Sequence, residues 1–408
     1  MSELKSQLTT SRSAPAGTLG KTADTLLTFG IALEKTTLCL LENINGHYRL
    51  AAWDVLPREV DMPPSHQCAI LCQRVGDQLG RPLWNEATDG PLLNSPNPIA
   101  YPPIEQVSIG MSPRQRMRIW LVGLTEGDSV AAARRALASA PLQLMGVTTL
   151  TATLTSTQLA TELLETYPEA LVFVGGYDTP APEAQHWLLQ LGRIVAQTLE
   201  RIPPGQRPAV FYAGNRWCAE PLEVNLRRIN GPLHFTALPN ILPAPGVAQP
   251  AALGVALSDY YWRLCQQMPG ISQLNQWVTA PGRIVNLEAA FAQMVQVWMA
   301  YHQLPMLHGL YCTPHWWLHV WAVQAEQGVH LRFVKPGTRP VELDQWPPLQ
   351  VVSGDWPMEL WPPPSLCWWD RTGLAPVVTT IGQVAPAAML QVLKHDLLEP
   401  RRQRAREG

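Results

Sequence analysis

The stretch ALVFVGGYD, residues 170–178, joins a run of five apolar residues to a double glycine and an aspartate. Such a run is typical of a strand buried on both faces, and glycine at a strand end lets the backbone approach a ligand closely. PAVFYAGN (208–215) repeats this design, and PLHFTAL (232–238) leads into LPNILPAPG (238–246). Helical segments separate the three strands. The alternation predicts a parallel α/β layer whose strand-end loops are available for ligands.

The segments on either side of this layer have a different pattern. Apolar runs at 26–33 and 37–42, the turn NING and the segment HYRLAAWDV predict two or three antiparallel strands. HWWLHVWAV (315–323) and GVHLRFV (328–334) predict a second hairpin, so a hairpin opens each half of the chain. This repetition suggests an internal duplication of architecture. A helix is expected near 66–79, and GDSVAAARRALASAP predicts another helix with Asp128 or Ser129 as its N-cap.

The predicted organisation has five parts. They are a flexible tail at 1–23, a first half at 24–154, central parallel α/β units at 155–302, a second half at 303–400 and a basic tail at 401–408. Within the second half, residues 336–371 are rich in Pro and Trp and predict an extended segment without regular elements, before a closing helix in PAAMLQVLKHDLLEP.

Composition narrows the class of protein. The 408 residues are 46% hydrophobic and 15% charged, with a net charge of -2, which fits a folded chain of two or more domains. Near-neutral charge argues against a nucleic-acid partner, and the lack of a run of eighteen apolar residues argues against a membrane span. Seven scattered cysteines do not form a disulfide framework, and the polar start has no secretory signal pattern. We therefore expect a cytoplasmic protein.

Candidate ligand positions follow from the strand ends. Gly175, Gly176 and Asp178 end one strand, and Gly214 and Asn215 end the next. Loops on neighbouring parallel strands would form two sides of a crevice. The alternative, two ordinary tight turns with Asp178 as a helix cap, stays open. The sequence has no G-x-S-x-G, G-x-x-x-x-G-K-[ST] or G-x-G-x-x-G motif, so no catalytic residue is predicted.

One short segment has the spacing of a metal site. Cys312, His315 and His319 read as C-x2-H-x3-H, but no glutamate accompanies them as in the zinc helices with H-E-x-x-H. Pro314 and the neighbouring tryptophans favour a strand over a helix. One face of that strand would carry His315, Trp317, His319 and Trp321. Aromatic packing is the preferred interpretation, and a zinc-binding protein is a minor alternative.

The order of these parts resembles the glutamate mutase L-like family, over roughly residues 25–400. The pieces that carry the resemblance are ALVFVGGYD, AVFYAGN, LPNILPAPG, MPGISQL and IGQVAPAAMLQVLKHDLL. Members of that family have the duplicated actin/hexokinase/Hsp70-type ATPase fold. The resemblance implies an α/β fold with this actin-like (ribonuclease H-like) architecture in two related halves. It also implies a link to an adenosylcobalamin-dependent mutase.

The chain departs from that family at both phosphate loops. The first family loop, D-I-G-S-x-x-T-K/R, corresponds to GIALEKTT (30–37), where Gly30 replaces the aspartate and Thr36 and Thr37 remain. The second, D-x-G-G-A-T-T-D, falls at LYCTPHWWLHV (310–320), which has neither the acids nor the glycine pair. Nucleotide phosphates need backbone approach and a metal held by carboxylates. We therefore expect an inactive ATPase relative without a cofactor. Its vestigial nucleotide cleft would comprise Gly30, Thr36, Thr37, Gly175, Gly176, Asp178, Gly214 and Asn215.

The function expected from these departures is a protein-binding, scaffold or chaperone-like accessory module. Its partner would be a protein, in a homo- or hetero-oligomer, and the abundance of tryptophan suits such an interface. The alternative is a nucleotide-binding ATPase of the glutamate mutase L type that assists the mutase. In that case ATP and Mg²⁺ would be bound near Thr36, Thr37, Glu34 or Lys35.

Overall fold

The computed structural model describes residues 24–44, 47–59, 61–93, 103–151, 153–179, 181–278, 284–303, 305–313, 315–324, 328–334 and 366–370. The predicted tails at 1–23 and 401–408, the closing helix and most of the Pro/Trp-rich segment lie outside these residues. The described residues form a mixed α/β fold with several sheets. The chain divides into two compact units, unit 1 with Met1–Gln115 and Trp262–Gly408, and unit 2 with Arg116–Tyr261. The predicted limits at 154 and 302 stay a prediction.

The regular elements follow each other along the chain as strands and helices of moderate length. The strands are β1 (Thr25–Ala32), β2 (Lys35–Ile44), β3 (His47–Pro57), β4 (Trp84–Asn85), β5 (Gly90–Pro91), β6 (Gln106–Ser112), β7 (Met117–Gly123), β8 (Leu142–Thr149), β9 (Ala170–Phe173), β10 (Ala209–Tyr212), β11 (Phe235–Ala237), β12 (Val285–Asn286), β13 (Met306–Cys312), β14 (Trp317–Val323), β15 (Gly328–Val334) and β16 (Leu366–Asp370). The helices are α1 (Pro64–Leu79), α2 (Asp128–Leu137), α3 (Ser156–Thr166), α4 (Pro182–Arg201), α5 (Ala219–Arg227), α6 (Ala251–Gln266), α7 (Ile271–Trp277) and α8 (Leu287–His302).

The first sheet of unit 1 combines an antiparallel meander with two parallel strands. β1, β2 and β3 pair in antiparallel fashion, as predicted, while β6 pairs parallel to β1 and β12 parallel to β6. The resulting order is β12-β6-β1-β2-β3. β1 is the central strand and all its residues are buried, which explains why its sequence is almost continuously apolar.

The second sheet of unit 1 has the order β15-β14-β13-β16, with every neighbouring pair antiparallel. Leu318, Val320 and Ala322 on β14 are fully buried in a cluster that includes residues of α8. The strand interpretation of HWWLHVWAV is thereby confirmed. β16 lies in the segment expected to lack regular elements, and that expectation is wrong at Leu366–Asp370. Its five residues pair with β13 across a long sequence separation, which a local pattern does not reveal.

Unit 2 is a doubly wound α/β unit. All neighbouring strands in its sheet are parallel and lie in the order β11-β10-β9-β7-β8. The predicted parallel layer is confirmed, and β7 and β8, which precede residue 155, also belong to it. Buried leucines of α3, α4 and α5 pack against alternate residues of β7, β9 and β10 in one cluster. The strand order reverses between β7 and β9, so this point is where such a sheet leaves a crevice beyond its carboxyl ends.

The helix starts in unit 2 differ in how far local sequence signals set them. α3 begins with a capping box in which Thr155 and Gln158 bond reciprocally. α2 begins at Asp128, one residue earlier than an N-cap at Asp128 would place its start. Its N-cap is Gly127 rather than Asp128 or Ser129, and no side chain caps it. Instead the Gly127 N–H donates to Thr125 Oγ1 at 3.3 Å, which ties the preceding loop into a tight turn.

Candidate functional site

The turn between β1 and β2 in unit 1 is where the first phosphate loop was expected. Gly30 lies inside β1, opposite Thr37. The Thr37 hydroxyl donates to the Gly30 carbonyl at 3.3 Å, and the buried Thr36 hydroxyl donates to Gln67 Oε1 at 2.6 Å. Both hydroxyls that were expected to face a phosphate therefore serve contacts within the fold.

Arg58 places a fixed positive charge beside this turn. Its Nη1 donates to the Ala32 carbonyl at 3.2 Å and to the Pro113 carbonyl at 2.7 Å. Its backbone N–H donates to the Glu34 carbonyl at 2.9 Å. Burial is the main cause that lowers the pKa of this guanidinium. Arg58 thus links the end of β1 to the residue that follows β6. No sequence motif marked it, because its partners are backbone atoms.

Glu288 is a buried carboxyl group at the start of α8. Only 4% of the residue is exposed, and Ser112, at the end of β6, donates its hydroxyl to Glu288 Oε1. The other carboxyl oxygen, Oε2, has no hydrogen-bond partner among the described residues. Burial raises the pKa of Glu288 to about 7, with a smaller contribution in the same direction from the charge of Glu34. The carboxyl group therefore holds a proton over much of the range below neutral pH.

The predicted loops of unit 2 meet at the carboxyl edge of its sheet. Gly175 and Gly176 have φ angles of 139° and 73°, a region that favours glycine. The Asn215 N–H donates to the Gly175 carbonyl at 2.9 Å. A Cβ atom on Gly214 would lie 2.7 Å from that same carbonyl oxygen, so the close approach requires glycine. The predicted proximity of these loops is confirmed, since β9 and β10 are neighbours.

The polar side chains at this edge bond to each other and to the loops. Asp178 Oδ1 accepts from the Arg216 N–H and from Asn240 Nδ2, both at 2.9 Å. Asn240 also donates to the Gly176 carbonyl at 3.0 Å, and Asn215 Nδ2 donates to the Tyr177 carbonyl at 2.6 Å. These bonds stabilise three loops against one another. The expected role of Asp178 as a cap of the following helix is wrong, because the N-cap of α4 is Ala181 and no side chain caps it. The role of Asn240 was missed, although its segment LPN was placed at the same edge.

A small pocket opens at the point where the strand order of unit 2 reverses. Its volume is about 180 Å³, and its lining comprises Leu124, Thr125, Asp128, Ser129, Gly175, Gly176, Tyr177 and Leu242. The first turn of α2 and the double glycine thus contribute to one cavity. A helix N-terminus favours anions, but the carboxylate of Asp128 opposes them. The sequence indicated only a helix cap in the loop after β7, so the contribution of this loop to the pocket was not predicted.

The histidines of the C-x2-H-x3-H segment lie in different environments. His315 is exposed in the turn before β14, whereas His319 is fully buried within the strand. His319 stacks on Trp321 with ring centroids 5.0 Å apart, as the strand interpretation predicts. The side chain of Cys312 lies outside the described part of the chain. Within the described residues there is no group of three or more His, Cys, Asp or Glu that could hold a metal.

The fold and these sites define an α/β protein in which a doubly wound unit is inserted into the chain of a second unit. A family model described as MutL protein matches residues 90–303, more than half of the 408 residues, and the chain belongs to this family. The resemblance to the glutamate mutase L-like family is confirmed by this match.

Other comparisons add little. The structure of T. thermophilus RuvC in complex with Holliday junction substrate is similar at 10% identity, over 59% of this chain and 96% of that chain, with a TM-score of 0.15. This score is too low to support an argument about the fold. No curated protein matches the chain. Across the described residues, every helix is too short or too polar to cross a bilayer.

Proposed function

We propose that this protein is an accessory module of an adenosylcobalamin-dependent mutase, which keeps an actin-like ATPase fold without its nucleotide chemistry. The strand order of the first sheet, three antiparallel strands followed by two parallel ones, supports a ribonuclease H-like half. The meander β13-β14-β15 supports a second, related half. β16 departs from the duplication, because it is antiparallel to β13 whereas β6 is parallel to β1.

The observation that carries this proposal is that Arg58 occupies the ends of β1 and β6, where a nucleotide would need a metal ion. A nucleotide needs Mg²⁺ there, held by ionised carboxylates and oxygen ligands. In this chain the carbonyls of Ala32 and Pro113 are already bonded to a guanidinium. The buried carboxyl group at this end of the sheet, Glu288, is largely protonated below neutral pH. A bound metal would therefore face a fixed cation and a ligand that resists ionisation.

We expect Mg-ATP and Mg-ADP to change the Tm of the full chain by less than about 1 °C at millimolar concentration. A ligand at one hundred times its Kd stabilises a protein by about 2.7 kcal/mol, which shifts Tm by several degrees. The measurement is a thermal melt with each nucleotide and with a matched magnesium-only sample. A shift of several degrees that requires Mg²⁺ and disappears in Glu34→Gln would contradict the proposal and favour the nucleotide-binding alternative.

That alternative is an ATPase of the glutamate mutase L type, and the pocket of unit 2 is the feature that favours it. The pocket combines two glycines with the first turn of a ten-residue helix. Its volume of about 180 Å³ is smaller than the roughly 300 Å³ at which ligand pockets usually begin. Under this alternative the pocket would hold a phosphate group, and the rest of the nucleotide would lie outside it.

Two half-exposed tryptophans in unit 2 support the protein-binding role. Trp187 on α4 is 50% exposed, and Trp217, in the 3-10 turn Arg216–Cys218 that contacts α4, is 53% exposed. The Arg216 guanidinium lies over the Trp217 ring, 4.8 Å from its centroid. Tryptophan and arginine are enriched among the residues that dominate binding energy at protein interfaces.

We expect the purified protein to bind the adenosylcobalamin-dependent mutase of its own organism, and the double variant Trp187→Ala/Trp217→Ala to bind at least tenfold more weakly. Truncating a residue that dominates an interface costs about 2 kcal/mol or more. Biolayer interferometry with immobilised mutase gives the Kd. Val255→Ala, which trims an exposed residue of α6 in the same unit, should bind like the wild type. Equal binding by the double variant and the wild type would exclude this surface, and no binding by the wild type would exclude this partner.

A further inference from the structure

The sheet of unit 2 ends in an edge strand without any charged residue. β8, with the sequence LQLMGVTT, pairs with β7 on one side, and no strand of the described chain pairs with its other side. Gln143 and Leu144 are exposed, Leu144 by 37%. The sequence contains no Asp, Glu, Lys, Arg or His from Ala136 to Thr161. An edge of this kind presents unpaired backbone groups that can pair with another strand.

The other sheet edges in the described part of the chain are protected. β3 carries Asp54 and β15 carries Arg332, whereas β16 has only five residues. β4, β5, β11 and β12 are only two or three residues long. Charges and short length are the means by which proteins prevent unwanted strand pairing. β8 is eight residues long and has neither protection.

We propose that two copies of this chain pair through the outer edges of their β8 strands, antiparallel about a two-fold axis. A two-fold axis perpendicular to the sheet brings the same strand against itself in the opposite direction, so the contact closes after two copies. Any charge on β8 would occur twice in such a contact. The uncharged sequence avoids this repulsion, whereas an edge built for one particular foreign strand would gain specificity from charges. Pairing would also cover Leu144.

A bulge divides β8 into two short runs, and packing against β7 fixes the second of them. Leu144 lies opposite Ile119 and Gly146 lies opposite Trp120, which leaves Met145 as an extra residue. Beyond the bulge, the Trp120 ring lies against Gly146. A Cβ atom on residue 146 would lie 2.4 Å from this ring, so the contact requires glycine. The Trp120 indole N–H also donates to Thr148 Oγ1 at 2.8 Å. The run Gly146–Thr149 is therefore held in a fixed conformation before any partner arrives, which lowers the entropic cost of pairing.

This proposal rests on the edge of unit 2 alone and is independent of the proposed function. The test is light scattering after size-exclusion chromatography of the full chain over a range of concentrations. The wild type should have twice the single-chain mass of 45.2 kDa. Leu144→Lys should raise the dimer Kd at least tenfold, because pairing would cover this side chain and a lysine on an edge strand opposes pairing. Thr161→Lys adds the same charge at an exposed position on α3 and should dimerise like the wild type.

Hydrogen exchange locates the contact. Amides within Leu142–Thr149 should exchange more slowly in the wild type than in Leu144→Lys, and circular dichroism checks that the variant is folded. If Leu144→Lys does not fold, Gln143→Lys at the neighbouring exposed position replaces it. A wild type of single-chain mass at every concentration overturns the proposal. So does a dimer that survives the edge lysine, or one in which these amides gain no protection.

Discussion

Replacing Glu288 by glutamine should remove a decline in the stability of unit 1 as the pH rises from about 4.5 to about 7. Burial raises the pKa of Glu288 from 4.5 to about 7, and one of its carboxyl oxygens has no partner among the described residues. The folded state therefore holds a proton that the unfolded chain has already released in this range. In this range the free energy of unfolding falls by about 1.4 kcal/mol for each pH unit. Glu288 should therefore lower the stability of the wild type by about 3 kcal/mol in total.

The measurement is the free energy of unfolding from urea titrations at intervals of half a pH unit. Glutamine keeps the shape of a protonated glutamate, so Glu288→Gln should show no loss from this group and should be more stable than the wild type above neutral pH. Glu86→Gln, which removes an exposed carboxylate from the same unit, should keep the wild-type slope. If Glu288→Gln follows the wild-type curve throughout, Glu288 is not protonated in the folded protein.

Replacing His319 by phenylalanine should remove a slope of the opposite sign. His319 is fully buried on β14, and burial lowers its pKa from 6.5 to about 4, with a smaller contribution from the charge of Arg332. Between these values the unfolded chain binds a proton that the folded state does not. The contribution of His319 to the free energy of unfolding should therefore be complete above pH 6.5. It should fall by about 3 kcal/mol as the pH drops towards 4.

Phenylalanine preserves an aromatic ring against Trp321 but cannot titrate. In the same urea titrations, the free energy of unfolding of His319→Phe should no longer fall because of this residue as the pH drops from 6.5 towards 4, whatever its absolute value. His66→Gln replaces an exposed histidine on α1 and serves as the matched control, with an unchanged slope. Equal acid dependence of His319→Phe and the wild type would mean that His319 titrates normally in the folded state.

The two residues belong to the same unit, so their effects should oppose each other between pH 4.5 and pH 6.5. The wild type should consequently show little net slope there from these groups, although each contributes strongly. Each single variant should reveal the slope of the residue that remains. The double variant should again be flat, which distinguishes cancellation from the absence of titration.

Most elements of this fold were predictable because their signals are local. The apolar runs of β1 and β9 indicated buried strands, and both strands are fully buried. Thr155 and Gln158 marked the start of α3 through a capping box. At the candidate site, the glycines after β9 and β10 were predicted to lie at one edge, since consecutive α/β units bring their strand ends together.

Other features of the site depend on pairs of residues far apart in sequence. Ser112 and Glu288 are 176 positions apart and meet because β12 pairs with β6 and places the start of α8 beside its end. Among the described residues, the acceptors of the Arg58 guanidinium are backbone oxygens, and backbone oxygens leave no trace in the sequence. Neither contact could be read from composition or spacing.

The sequence by itself determined the type and position of most strands and helices and the membership of the family. These depend on periodicity, on local turn chemistry and on which residue types are present. Only the tertiary structure decided that the chain after β6 forms a doubly wound unit, which of the described strands lie at sheet edges, and which ionisable groups are buried. Those properties follow from long-range strand pairing and burial, and these determine the pKa of Glu288 and the exposure of β8.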